Sequence, residues 1–130
     1  MEKYFHFDRY KTLDEIEGQD CDVPNFDSHL VTTCLKLRKK PISSFTVEDL
    51  RIMIGQEFGL DYLIPLALET LEDNILSEGD FYCGDLLNAV LKVNKKFWRS
   101  NPTYKNDLID IFEKNIKDLV SKLDIFRNGV

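Results

Sequence analysis

Apolar positions recur at steps of three and four through most of this chain, the period of helices with one buried side. Val47, Leu50, Met53 and Ile54 mark one such face. Thr46-Val47-Glu48-Asp49 opens it: Thr46 can accept the amide of Asp49, and the carboxylates meet the positive end of the helix dipole. Gly55 and Gly59 interrupt the pattern, and a second segment runs from Leu60 to Leu76. From Leu60 to Leu68 it is apolar almost all round, with Asp61 the only charge. A helix with no polar face belongs in the middle of a small protein, so this segment is the expected hub.

The flanks read outward from that hub. Residues 3–11 carry Tyr4, Phe5, Phe7 and Tyr10 without a period, which fits either an irregular arm or a short strand. Thr12-Leu13-Asp14-Glu15 is a second capping box and predicts a short helix to Gly18, followed by a loop through Pro24 to Asp27. Asp27 or Ser28 caps a helix through Leu37, in which Leu30, Cys34 and Leu37 share one face. It ends in Lys36, Arg38, Lys39 and Lys40, bases suited to the negative end of a helix, and Pro41 stops it. Beyond the hub, Ser77-Glu78-Gly79-Asp80 is a turn, and Phe81 to Asp85 lead into a helix faced by Leu86, Leu87, Val90, Leu91 and Val93. Phe97 and Trp98 are expected to fold back over the core. Asn101-Pro102 starts a last helix whose Tyr104, Leu108, Phe112, Ile116, Leu119, Leu123 and Phe126 recur at steps of four and three. The pattern predicts an all-α fold: one compact bundle of five or six helices around a buried central helix.

Composition sharpens this picture. At 130 residues, 43% hydrophobic and 31% charged, the chain suits one soluble domain spanning residues 1–130. No apolar run approaches the ~20 residues of a membrane span, and the N-terminus lacks the features of a secretory signal. Cys21, Cys34 and Cys83 are an odd number without a C-x-x-C pair, which reads as free thiols in the cytoplasm. Charge is unevenly spread. Between Pro41 and Leu91 ten acids face the single base Arg51, whereas from Lys92 onward nine bases face five acids. A second acidic cluster, Asp14, Glu15, Glu17, Asp20 and Asp22, lies before the basic run. Segregation of this kind suits a basic partner and argues against nucleic acid.

Candidate chemistry is sparse. His6 and His29 are the only histidines and no metal-ligand spacing joins them, so no metal site or cofactor is expected. Glu69, Glu72 and Asp73 share a helix face, but the Glu-x-x-His of carboxylate-bridged metal sites is absent, which disfavours a metal-dependent hydrolase. The glycines build no phosphate-cradling loop, and no catalytic residue is singled out. Helix, turn and helix across residues 46–76 offer a small DNA-binding regulator of the helix-turn-helix type as the alternative. Its second helix, residues 60–76, has four acids and no Lys or Arg, the wrong sign for phosphate.

Several ordered stretches resemble the bacterial contact-dependent growth inhibition (CDI) immunity proteins. They are Asp27 to Cys34, Lys40-Pro41, Phe45 to Gln56, Tyr62 to Glu69, and Glu78 to Tyr82 with Gly84 to Leu87, covering about residues 12–98. Cys83 stands where that pattern has Pro. The resemblance implies a non-enzymatic cytoplasmic immunity protein. It would bind the cognate toxin C-terminal domain of a contact-dependent inhibition effector, expected to be a basic nuclease, and block its active site or the access to it. No nucleic acid or membrane partner is implied. For the toxin-binding face, the acids left without local bases are the candidates: Glu69, Glu72, Asp73, Glu78, Asp80 and Asp85. Asp85 and Asp80 also have competing structural uses at a helix start and a turn.

Overall fold

The structure is a computed structural model that describes residues 7–20 and 28–129. Tyr4, Phe5, His6, Cys21, Asp22, Pro24 and the capping candidate Asp27 lie outside the described residues.

Seven α-helices and no strand form among the described residues: α1 (Leu13–Glu17), α2 (His29–Leu37), α3 (Val47–Gly55), α4 (Leu60–Asp73), α5 (Asp85–Leu91), α6 (Lys95–Ser100) and α7 (Pro102–Gly129). None is long and apolar enough to cross a membrane. The all-α expectation holds, with one helix more than the expected five or six. The extra one is α6. Phe97 and Trp98, expected only to fold back, sit on a short helix whose first turn is capped by Asn94, accepting the Phe97 amide at 2.8 Å.

α4 is the hub. Leu63, Ile64, Ala67, Leu68 and Leu71 are fully buried, and the helix packs against α3, α5 and α7. It stops at Asp73 rather than Leu76, because Asn74 takes an extended backbone and its side chain accepts the amide of Leu76. Asn closes such turns in competition with the helix ladder. The break between α3 and α4 is also shifted from its expected place. Gly55 stays helical, and the reversal falls on Glu57 and Gly59, with φ of 59° and 61°. Glu57 fixes its left-handed turn by accepting from the amide and side chain of Asn94, which ties the α3–α4 corner to α6. At Gly59 a Cβ would stand 2.8 Å from a methyl of Leu13, so α1 seats against a position that only glycine serves.

Both capping boxes form, at Thr12 with Glu15 and at Thr46 with Asp49. The described part of the N-terminal arm is irregular. The carbonyls of Arg9 and Lys11 accept from Ser43 and Ile42, and Phe7 meets Tyr62 edge-on. Two apolar series depart from expectation. Leu30 is exposed while Cys34 and Leu37 are buried, because only the later turns of α2 reach the core. On α7 the inward face ends near Phe112, and the whole of 116–129 is exposed.

Candidate functional site

The acids of the sequence separate into two groups once their neighbours are known. Near the N-terminus, Asp14, Glu17 and Asp20 are paired from within. Arg38, buried at the end of α2, donates to Asp14 at 2.8 Å and also to Glu17 and Gln19. Lys39 bridges Asp14 and Asp20 at 3.0 and 2.9 Å, and Lys40 pairs with Asp49. The basic run is therefore a set of ties between elements more than a helix-end decoration. Burial by itself would raise the pKa of Asp14, but the hydrogen bonds from Lys39 and Arg38 outweigh it and hold the group below its usual range.

The central acids are built differently. Asp85, at the first turn of α5, is buried and accepts from the amides of Gly79 at 2.7 Å and Phe81 at 3.1 Å. Glu48, from the first turn of α3, accepts the Asp80 amide at 2.9 Å and is gripped by Arg51. Two carboxylates thus pin the loop of residues 77–84 by its backbone. Gly79 makes room for them, since a Cβ there would lie 2.6 Å from Glu48 Oε1. Burial pushes Asp85 upward, yet the amides of Gly79, Phe81, Tyr82 and Leu86 more than compensate and lower it; Arg51 lowers Glu48 chiefly by its hydrogen bond.

This pinning displays what the loop carries outward. Phe81 is 68% and Tyr82 51% exposed. The Arg51 guanidinium lies over the Phe81 ring at 4.4 Å, and Asn88 donates to the Tyr82 hydroxyl at 2.8 Å. Behind them is a cleft of about 410 Å³ reaching Gly55, Ala89 and Lys92. These aromatics were not singled out in the sequence, where Phe81 and Tyr82 read only as the lead into the next helix.

The six acids proposed from sequence are placed as follows. Asp85 is the buried post of the loop. Glu69 is half-buried, 3.7 Å from Arg9, with its second oxygen lacking a hydrogen bond. Glu78 is exposed and accepts the Cys83 thiol at 2.8 Å. Glu72, Asp73 and Asp80 are exposed. Glu69, Glu72 and Asp73 stand together at the end of α4, while Glu78 and Asp80 belong to the neighbouring loop and Asp85 begins α5 beneath it. No cluster of three or more His, Cys, Asp or Glu able to hold a metal occurs among the described residues. The α3–α4 pair does not present a reading helix either, because α4 buries Leu63, Ile64, Pro65, Ala67, Leu68 and Leu71 in the core.

No curated protein and no solved structure matches the chain. A family model of CDI immunity proteins matches residues 15–108, from within α1 through the pinned loop to the body-packed turn of α7. With well over half of its length inside that match, the chain belongs to the CDI immunity proteins.

Proposed function

We propose that this chain neutralises a cognate toxin domain of basic, nuclease-like character by laying the end of α4 and the 77–84 loop against the toxin's substrate cleft or its rim. The observation that carries this reading is the unequal neutralisation of the two acidic clusters. Arg38 and Lys39 hold Asp14, Glu17 and Asp20 in ion pairs, whereas Asp73 and Asp80 are exposed and make no ion pair among the described residues. Exposed Phe81 and Tyr82 stand beside these charges. Aromatic anchors ringed by charge are the usual make-up of an interface hot spot, and complementary charge speeds encounter. Glu69, Glu72 and Glu78 widen the same acidic edge, and Asp85 acts through the loop it fixes. Action in the cytoplasm, without catalysis by this chain, belongs to the same reading.

The test is capture of the toxin domain encoded immediately upstream. Asp73→Asn, Glu78→Gln and Asp80→Asn combined should slow association by roughly tenfold and flatten its salt dependence. Phe81→Ala should speed dissociation. Glu17→Gln with Asp20→Asn should leave the rate unchanged. Wild-type kinetics in the central triple, with loss in the N-terminal pair, would place the interface on the other cluster.

A further inference from the structure

Tyr104, Leu108 and Ile111 hold α7 to α4 and α6. Beside that face runs a second series: Ile109, Phe112, Ile116, Leu119, Leu123 and Phe126, at alternating steps of three and four with no polar member. This is the 3.5-residue period of a coiled-coil seam, with Ile109, Ile116 and Leu123 in one core position and Phe112, Leu119 and Phe126 in the other. Phe112 is partly covered by the body, while Leu119 is 65% and Phe126 66% exposed. At the inner end of the seam a groove of about 490 Å³ opens, floored by Leu91, Trp98, Ile109 and Phe112.

We propose that a second copy of this chain covers the seam, its α7 lying antiparallel on this one about a two-fold axis between Lys117 and Asp118. Overlap of all six layers then pairs Ile109 with the partner's Phe126, Phe112 with the partner's Leu123, and Ile116 with the partner's Leu119. Each Phe126 arrives at the other copy's groove, whose volume accommodates an aromatic ring. The flanking charges choose the direction. A parallel pair would set Lys122 against the partner's Arg127, like charges across the seam. The antiparallel register instead sets Lys122 against the partner's Asn115 and Arg127 against the partner's Asn106. It also keeps the two acidic bodies at opposite ends. The surface is the same on both copies, as a closed two-fold contact requires. Six apolar side chains from each copy bury on the order of 1,200 Å² in total, the lower edge of stable interfaces, so the dimer forms with rising concentration.

Sedimentation of the full chain over about a hundredfold range of concentration should show the mass climbing reversibly from 15.2 kDa toward twice that value. Leu119→Glu should remain monomeric with an unchanged melting curve. With Cys21→Ser and Cys83→Ser as background, spin labels at Lys117→Cys should lie close across the pair, and labels at Asn128→Cys about 30 Å apart. A monomer at every concentration, a dimer that survives Leu119→Glu, or close pairs at both labels overturns the proposal. So does a monomeric chain in which Leu119→Glu weakens toxin capture, because the seam would then be toxin surface.

Discussion

Asp14 and Arg38 form the most deeply buried ion pair among the described residues, joined across 24 positions of chain. Removing Arg38 leaves Asp14 its bond to Lys39 but takes from Asp14, Glu17 and Gln19 a shared donor, so Arg38→Ala should cost about 1–3 kcal/mol in urea unfolding. Acid should reach the same tie. The folded pKa values of Asp14, Asp85 and Glu48 all lie below their unfolded values of about 3.9 to 4.3. Their contribution is therefore full above that range and fades as pH falls through the lowered values. The urea midpoint should be flat between about pH 5 and 7 and drop below about pH 4, with a shallower acid limb in Asp14→Asn. Single residues were legible in the sequence where their partners are local. Thr12 and Thr46 declare their caps because Glu15 and Asp49 stand three positions on. Arg38 does not declare Asp14, since only the packing of α1 on the end of α2 brings them together.

Among elements, α4 was legible because an all-round apolar helix has one physical solution, burial. Leu68, with no exposure, should lose about 2–5 kcal/mol of stability on truncation to Ala, read from the melting curve. Its end was not legible, since Ile75 and Leu76 continue the apolar pattern past the residue whose side chain turns the chain away. α6 was hidden by its shortness: one and a half turns show no period. α7 was misleading in the other direction. Its stripe is regular to Phe126, but regularity reports an amphipathic helix and not what covers it. Deleting residues 116–129 should therefore lower the helical circular dichroism signal while leaving the melting temperature of dilute protein within a few degrees. Collapse of the transition would mean those turns support the body.

For the whole molecule, the all-α class followed from the number of capped periodic segments, and circular dichroism should show helix throughout. The display surface did not follow, because exposure of Phe81 and Tyr82 depends on carboxylates from two other elements closing beneath the loop. Cys34 is buried and Cys83 exposed, both as free thiols. A thiol reagent applied to native protein should modify Cys83 and spare Cys34, and a reductant should leave the melting curve in place. A last consequence lies in how the particle rotates. The exposed part of α7, residues 116–129, adds about 21 Å at 1.5 Å per residue to one side of the body. The monomer then turns faster about the helix axis than end over end. Amide vectors along α7 lie near that axis and feel only the slower rotation, so their nitrogen relaxation should return the longest tumbling time in the protein.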